Sequence, residues 1–284
     1  MALDLYKRLS ERLEVESVTV SGKSGRITGS PSELVMGIYV QNHHYDPAVV
    51  DLIAGRLLRN GTGTFIDIGA NIGLITVPVA QDSKAAVHAF EPEPRNFEFL
   101  TNNITANLAT GRVTLHNMAL ASSSEPLKFE LSKDNFGDHR VRRESKISTQ
   151  KFDEANRQVI EVVGERLDAA LNADELLHPI VIKMDTQGAE AEVIKGGRQV
   201  FDVADYVLTE YCPYLLLRAG SDPSELIDFV HGFAFGAVLD GSDNTKFALE
   251  PTERIIEAMQ AFPQDGSAAR HMDVLLARND ALKV

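Results

Sequence analysis

The side chains whose types and spacing best fit ligand binding lie in a glycine-containing turn and at the end of the next hydrophobic segment. The turn reads Asp67-Ile-Gly69-Ala-Asn71-Ile-Gly73, and Glu91 closes the following segment. Glycines at such a turn let the backbone approach a ligand closely. The Asp67 carboxylate can pair with an ammonium group, and Glu91 can accept hydrogen bonds from both hydroxyls of a ribose. The alternatives are a plain strand-to-helix turn and a Glu91 that only caps the next helix.

A parallel sheet would bring these side chains together, because its strands end at one edge, where ligands bind. Short apolar runs alternate with helical patterns, which is typical of a parallel sheet covered on both faces. The predicted strands are 64–69, 85–91, 112–117, 179–185, 206–211, 234–239 and 272–277, and the predicted helices are 47–59, 94–108, 188–201 and 222–232. The fold class is therefore α/β.

Two regions lie outside this alternation. Residues 1–46 form a predicted N-terminal extension with an amphipathic helix over 2–13 and strands within 15–40, and 47–284 form the main domain. Within that domain, 125–163 is predicted to be an inserted β-hairpin with a polar loop over 133–157. Long loops inside compact domains are usually functional or disordered.

Composition narrows the class of protein. The 284 residues carry 28 basic and 41 acidic side chains, a formal charge of −13. This charge disfavours nucleic acid and anionic lipid as partners. The single cysteine, Cys212, excludes an internal disulfide framework and fits a reducing compartment. No targeting segment or membrane span is evident, so we expect a cytoplasmic protein.

Several motifs, in the same order, resemble the FkbM family of S-adenosylmethionine-dependent methyltransferases. They are Asp67-Ile-Gly-Ala-Asn-Ile-Gly, Phe90-Glu-Pro-Glu-Pro-Arg-Asn-Phe-Glu-Phe-Leu-Thr-Asn-Asn-Ile, Asn117-Met-Ala-Leu and Ile182-Lys-Met-Asp-Thr-Gln-Gly-Ala-Glu, with weaker agreement at Tyr45-Asp-Pro, Arg166-Leu-Asp168 and Thr209-Glu-Tyr-Cys-Pro. The resemblance spans 45–217, and Gln187 and Arg166 depart from the residues that the family often has. It implies a class I methyltransferase fold, Rossmann-like, with a seven-stranded, mostly parallel sheet and helices on both faces.

The resemblance also implies a cofactor site. The turn, with Asp67, Gly69, Ala70, Asn71 and Gly73, would hold the methionine end of S-adenosylmethionine, and Glu91 with Pro92 would lie at the ribose. Adenine would be flanked by Asn117, Met118 and Ala119. Thr76 would either contact the cofactor carboxylate or face the sheet as a helix residue. The usual family reaction is O-methylation of hydroxyls on sugars or natural products, with N and carboxyl acceptors as alternatives.

A hydroxyl acceptor needs a general base within hydrogen-bond reach. Asp185, which ends the fourth strand, is our first choice for this base, and His139 and Glu210 follow it. The alternative roles are a helix cap for Asp185 and an exposed loop position for His139. For Glu210 the alternative is an ion pair with Lys183. His43 and His44 are predicted at the mouth of the cleft, and Glu190 is expected to contact its own loop. A divalent metal shared by Asp185 and Glu210 is an alternative that we do not favour, because no third ligand is evident.

The polar loop contains a basic cluster, formed by Arg140, Arg142, Arg143 and Lys146. A solvated loop is the simplest interpretation. The sharper hypothesis is that Arg140 and Arg142 bind an anionic or carrier-linked small-molecule acceptor, since arginine forks match carboxylates and phosphates. The rival functions are a cofactor-binding protein without turnover and an NAD-dependent oxidoreductase, although Asn71 occupies the middle glycine position of the dinucleotide fingerprint.

Overall fold

A mixed eight-stranded sheet forms the centre of the molecule. The computed structural model describes residues 6, 8, 10, 12–58, 61–108, 111–133, 135–143, 156–239, 247–264 and 270–279. Its strands are β1 Val18–Gly22, β2 Gly25–Gly29, β3 Thr64–Ile68, β4 Ala86–Phe90, β5 Val113–His116, β6 Ala119–Leu120, β7 Leu127–Leu131, β8 Arg140–Val141, β9 Gln158–Val162, β10 Gly164–Glu165, β11 Ile180–Met184, β12 Tyr206–Tyr211, β13 Phe235–Leu239, β14 Glu250–Pro251 and β15 Met272–Ala277. The central sheet has the order β14-β13-β15-β12-β11-β3-β4-β5.

Helices and short helical turns connect these strands. The α-helices are α1 Leu34–Asn42, α2 Pro47–Val50, α3 Thr76–Asp82, α4 Pro94–Asn107, α5 Leu167–Ala170, α6 Glu190–Gly196, α7 Arg198–Val203, α8 Pro213–Ala219, α9 Pro223–Val230 and α10 Thr252–Ala261, with a π-helical turn over Asp51–Leu57 and 3₁₀ turns over Phe136–Asp138 and Ala173–Glu175. Among the described residues, none of the helices reaches the length and hydrophobicity that a membrane-spanning segment needs.

Strand direction decides which side chains meet at the edge of the sheet. Strands β3, β4, β5, β11 and β12 run parallel, so their carboxyl ends lie together. Strand β15 is antiparallel to both β12 and β13, so its first residues lie beside the last residues of β12. Each predicted strand corresponds to a strand of this sheet, but within the described residues the sheet has eight strands, because the two-residue β14 pairs with β13 at the far edge.

Fully buried apolar strands account for this arrangement. Strand β3, Thr64-Phe-Ile-Asp-Ile, is buried along its whole length, and the core clusters lie on both of its faces. Apolar burial on both faces is what a parallel sheet requires. The one acidic residue in this strand, Asp67, is therefore held in a dry environment at the edge of the sheet.

Helix α1 corrects the prediction of a strand at Leu34-Val-Met-Gly-Ile-Tyr-Val. Glu33 caps the helix, since its carboxylate accepts a hydrogen bond from the Met36 backbone N–H at 2.7 Å. Four of the nine helix residues are buried, among them Val35, Met36 and Tyr39. A helix that is apolar on most sides shows no helical period, so periodicity could not distinguish it from a strand.

Other helix boundaries also differ from the expectation. The predicted helix over 188–201 is two helices, α6 and α7, which are separated at Gly197. Helices α8 and α10 were not predicted. Helix α2 begins as predicted, because the Asp46 carboxylate accepts a hydrogen bond from the Val49 N–H at 3.1 Å. Most of the predicted helix over 2–13 lies outside the described residues.

The N-terminal hairpin is attached to the main domain through α4. Asn103 and Asn107, on one face of that helix, accept hydrogen bonds from the backbone N–H groups of Thr28 and Arg26, both at 2.7 Å. Both amides also donate to backbone carbonyls of β2. The extension thus pairs with the body through backbone groups that would otherwise be unsatisfied.

The predicted inserted hairpin is present as a small sheet. Strand β7 pairs antiparallel with β9, and the two-residue β8 pairs with the other edge of β7. Residues 144–155 of the predicted polar loop, including Lys146, lie outside the described residues. Strand β8 and the 3₁₀ turn before it bring the insertion to the edge of the central sheet where the site lies.

Candidate active site

A cavity of about 410 Å³ opens at the carboxyl ends of the parallel strands. This volume lies within the range of small-ligand sites. Its wall contains residues from the glycine turn, the ends of β4, β11 and β12, helix α1, the insertion and the start of β15. The topology therefore assembles the wall from segments that are far apart in the sequence.

Asp67 lies at the floor of this cavity and is fully buried. Its Oδ2 accepts a 2.6 Å hydrogen bond from Thr76 Oγ1, and its Oδ1 lies 3.7 Å from Lys183 Nζ without a hydrogen bond. Burial raises the pKa of Asp67, and Lys183 opposes that shift. Thr76 is itself fully buried and absent from the cavity wall, so it is the helix residue facing the sheet and positions Asp67.

The backbone of the glycine turn has conformations that its residue types permit. Gly69 has φ +82°, and a Cβ there would lie 2.0 Å from the Asp185 carbonyl oxygen. Asn71 also has positive φ, and its Oδ1 accepts a hydrogen bond from the Ile72 N–H at 2.6 Å. Asparagine tolerates this region better than other non-glycine residues. The turn therefore keeps a tight shape although Asn71 replaces a glycine.

Glu91 is held by the turn and by its own chain. Its Oε2 accepts a hydrogen bond from the Asn71 N–H at 2.8 Å, and its Oε1 accepts one from the Glu93 N–H at 2.9 Å. Burial raises the pKa of Glu91 to about 8, although both backbone bonds lower it. Each carboxylate oxygen retains acceptor capacity beyond one backbone bond, and Glu91 lines the cavity.

The predicted cofactor residues separate into two groups. Those on the cavity wall are Asp67, Gly69, Ala70, Asn71, Glu91, Pro92, Met118 and Ala119. Gly73, Thr76 and Asn117 do not line it. The exposed Asn117 donates to the carbonyl oxygens of Glu91 and Pro92, so it supports the ends of the neighbouring strand.

Asp185 and Glu210 both face the cavity from the ends of β11 and β12. The Asp185 side chain is 43% exposed; its Oδ1 accepts from Gln187 Nε2 at 2.8 Å, and its Oδ2 lies 3.8 Å from Lys183 Nζ. Burial and neighbouring carboxylates, Asp185 foremost, raise the pKa of Glu210 well above its ordinary value. The expected contact of Glu190 with its loop is confirmed, since its Oε1 accepts from Thr186 and the Gly188 N–H.

His139 lies on the cavity wall, but its hydrogen bonding argues against a role as base. Its Nδ1 accepts a 2.9 Å hydrogen bond from the Ser132 N–H, so the neutral ring carries its proton on Nε2. Burial and the nearby Arg157 lower the pKa of His139 to about 4. The ring therefore offers a hydrogen-bond donor and has no free lone pair for a proton.

Arg140 does not reach the cavity, which corrects the expectation of an acceptor-binding arginine there. Its side chain is 2% exposed, and its Nε donates to Glu130 Oε1 at 2.8 Å. Arg218, on α8, contacts the same carboxylate at 2.9 Å. Arg140 thus belongs to a buried ionic network between the insertion and the main domain. Arg142 is 44% exposed and lies 3.9 Å from Glu130, and it is also absent from the cavity wall.

The mouth of the cleft also differs from the sequence prediction. His43 and His44 are not on the cavity wall, whereas the next two residues, Tyr45 and Asp46, are. His43 instead lies with its Nδ1 3.2 Å from the Ser21 carbonyl oxygen. The Tyr45-Asp-Pro motif was the available signal for the residues that do line the cavity.

Sequence reasoning missed another part of the wall, made by Lys183, His271 and Asp273. Lys183 was predicted only as an alternative ion-pair partner of Glu210, whereas the structure places its Nζ near Asp67 and Asp185. His271 directly precedes β15 and Asp273 is its second residue, and no sequence motif indicates that this strand is antiparallel. Among the described residues, Glu210, His271 and Asp273 bring three ligand-type atoms within 4.8 Å of one another.

Comparisons with known proteins support the same family. The chain is similar to the hexuronic acid methyltransferase AglP of Haloferax volcanii, with 32% identity over 161 residues that cover 56% of this chain and 58% of that protein. It is also similar to the methyltransferase sdnD of Sordaria araneosa, with 28% identity, covering 46% of this chain and 59% of that protein. The chain thus spans just under three fifths of the length of these curated relatives.

A solved structure with a related shape is that of P. horikoshii TYW2 in complex with MeSAdo. It is 13% identical and has a TM-score of 0.45, with 96% of this chain and 80% of that chain covered. The model of the methyltransferase FkbM domain matches residues 67–236, which include the glycine turn and the ends of β4, β11 and β12. The chain therefore belongs to the FkbM methyltransferase domain family.

Proposed function

We propose that this protein is an S-adenosylmethionine-dependent methyltransferase that methylates a hydroxyl group of a small molecule, a sugar or a natural-product intermediate. One observation carries the proposal: Asp67, Glu91 and Asp185, at the ends of three neighbouring parallel strands, line one cavity. Family membership supports methyl transfer, and the name of the Haloferax relative supports a sugar acceptor.

The donor set of the cavity fits this cofactor. Asp67 Oδ1 is a buried acceptor without a hydrogen bond and suits the ammonium group of the methionine end. Glu91 has acceptor capacity left for the ribose hydroxyls, and Met118 and Ala119 offer an apolar surface for the adenine. The turn at Gly69 and Asn71 brings backbone close to the same space. When bound, S-adenosylmethionine supplies an electrophilic methyl group on a sulfonium.

The chain contributes positioning and proton removal. Methyl transfer is an in-line displacement, so much of the catalysis comes from holding the acceptor oxygen in near-attack geometry. Asp185 would accept the proton of the acceptor hydroxyl as that oxygen takes the methyl group. Lys183 Nζ, 3.8 Å from Asp185 Oδ2, positions this carboxylate, and His139 Nε2–H can donate a hydrogen bond to the acceptor.

Replacing Glu91 with glutamine tests the cofactor site. The glutamine amide keeps the size of the side chain but replaces one acceptor oxygen by an NH₂ donor. That NH₂ group cannot accept the hydrogen bonds of a ribose hydroxyl and of one of the two backbone N–H groups. Hydrogen bonds to charged groups contribute about 1.5–3 kcal/mol each. Above pH 8, where the native Glu91 is mostly ionised, we therefore expect the variant to bind S-adenosylhomocysteine about 100-fold more weakly, as measured by calorimetry. Glu257→Gln, at an exposed pair with Arg254, is the matched control, and equal affinities in all three proteins would exclude this site.

The affinity for S-adenosylhomocysteine should also rise with pH. Glu91, with its pKa raised to about 8, is mostly neutral near pH 6, whereas ribose hydroxyls favour the ionised carboxylate. Binding therefore releases a proton, and the affinity should increase up to tenfold per pH unit between about pH 6 and 8 and then level off. The Glu91→Gln variant should show no such rise, because it has no proton to lose at this position. A flat profile for the native protein would contradict the assignment.

Turnover is tested with a panel of acceptors. Uronic acid glycosides, neutral sugars and small alcohols are incubated with S-adenosylmethionine, and formation of S-adenosylhomocysteine is followed with time. Product from a hydroxyl-bearing acceptor, with the methyl on oxygen by NMR, is the expected result. Binding of S-adenosylhomocysteine with no turnover across the panel would favour the alternative of a non-catalytic cofactor-binding protein.

A further inference from the structure

Three side chains at the far end of the cavity from the glycine turn form a cluster of the kind that binds metal ions. Glu210, His271 and Asp273 each offer one ligand atom, and these atoms lie within 4.8 Å of one another. Two ligands on opposite sides of one ion stand about 4.0–4.4 Å apart, twice the usual bond length to nitrogen or carboxylate oxygen. Small side-chain rotations would bring all three atoms onto a single ion.

The register of the sheet provides an independent reason to expect a cation. Glu210 on β12 lies directly opposite Asp273 on β15. Like charges directly opposite each other in an antiparallel pair are destabilising. Within the described part of the chain, the contact between His271 Nδ1 and Glu210 Oε2, at 3.9 Å, is the only ion pair or hydrogen bond of these three side chains.

Acidic side chains also outnumber basic ones on the described part of the cavity wall. Of the residues that the structure describes, six carboxyl groups and one lysine line the wall: Asp46, Asp67, Glu91, Asp185, Glu210 and Asp273, with Lys183. Lys183 contacts Asp67 and Asp185. His271 is 56% exposed, so any compensation from it is weakened by solvent. A small cation with two charges between Glu210 and Asp273 would offset this imbalance where it is largest.

We propose that Glu210, His271 and Asp273 bind one divalent first-row metal ion, such as Mn²⁺ or Zn²⁺. An imidazole with two carboxylates suits these ions better than Mg²⁺ or Ca²⁺, which prefer oxygen ligands alone. Because all three ligands lie on the cavity wall, the remaining coordination positions face the cavity. There the ion would bind oxygen atoms of the acceptor and orient its hydroxyl, a role that rests on the proposed methyl transfer. The ion site itself does not depend on that function.

Manganese binding tests the site directly. Mn²⁺ is titrated into the protein as purified and treated with a chelator, and free Mn²⁺ is measured by its EPR signal. We expect one tight site per chain, which Zn²⁺ displaces. His271→Ala should weaken Mn²⁺ binding about 100-fold or more, since loss of even an outer partner of a metal ligand costs 10–100-fold. This residue is exposed, so its replacement should leave the fold intact, as checked by circular dichroism.

Asp273→Asn gives a second variant, and Glu257→Gln, an exposed carboxylate away from the cavity, is the matched control. The proposal is overturned if the native protein binds no Mn²⁺ below millimolar concentration, or if His271→Ala and Asp273→Asn bind it as tightly as the control. In that case Glu210 and Asp273 share a proton or receive a cationic group of the acceptor. Titration of S-adenosylhomocysteine in the same samples separates the two proposals. Mn²⁺ binding without cofactor binding would refute the methyltransferase assignment alone.

Discussion

Replacing Asp185 with asparagine is expected to lower kcat at least about 100-fold, the lower part of the range that a general base contributes. The amide is nearly the same size and can still contact Gln187, but it cannot accept a proton from the acceptor hydroxyl. The carboxylate lies close to Lys183 Nζ. The side chain is 43% exposed and lines the cavity, so an acceptor can reach it. The measurement is steady-state turnover with an acceptor found in the panel.

The pattern of the kinetic constants distinguishes a base from a binding residue. Asp185→Asn should bind S-adenosylhomocysteine with an affinity within about threefold of the native value. The loss of activity should appear in kcat rather than in KM. The residual rate should rise with pH as the acceptor ionises without help. A variant with nearly native kcat would remove Asp185 from the mechanism, and Glu210→Gln would then be the next variant to measure.

The strand ends that hold the site could be predicted because each depends on a local signal. Asp67, Glu91 and Asp185 each follow a short apolar run, and in a parallel sheet such runs end at one edge. All three side chains do line the same cavity. The turn itself could also be predicted, because glycine and asparagine are the residues that tolerate its positive φ values.

The residues that were missed or misjudged depend on strand direction and on contacts between distant segments, which a single sequence does not show. Asp273 reaches the site only because β15 runs antiparallel, so that the beginning of this strand lies beside the end of β12. Helix α1 was mistaken for a strand because apolar residues on most of its sides remove the helical period. Arg140 was predicted in a polar loop, either solvated or binding the acceptor, because the surrounding sequence is polar. The acidic partner that it meets in the interior, Glu130, belongs to another strand.

The buried ionic network around Glu130 should be among the most sensitive points for stability. Glu130 is fully buried, and it contacts Arg140 at 2.8 Å and Arg218 at 2.9 Å. Asp138 lies 3.5 Å from Arg140 and also pairs with the buried Arg157. Breaking a buried pair by removing one partner costs about 3–5 kcal/mol, because an uncompensated charge stays in the interior. Glu130→Ala leaves both Arg140 and Arg218 without this carboxylate.

We therefore expect Glu130→Ala to lower the free energy of unfolding by about 3–5 kcal/mol, which corresponds to a decrease in Tm on the order of 10 °C. Urea unfolding followed by circular dichroism measures the change. Arg254→Ala removes an exposed pair with Glu257 and should cost less than about 1 kcal/mol. A similarly small cost for Glu130→Ala would mean that the other partners of the two arginines, such as Asp138 beside Arg140, compensate their charge.

The position of the network determines which part of the molecule should loosen first. Glu130 and Arg140 belong to β7 and β8 of the insertion, whereas Arg218 belongs to α8 of the main domain. The same insertion carries Phe136 and His139 to the cavity wall. Amide exchange in Glu130→Ala should therefore accelerate in β7 and β9 well before it does in β3 and β11, which are buried in the central sheet. Uniform acceleration across both regions would instead indicate that the insertion and the central sheet unfold as one unit, with the ionic network as part of their common core.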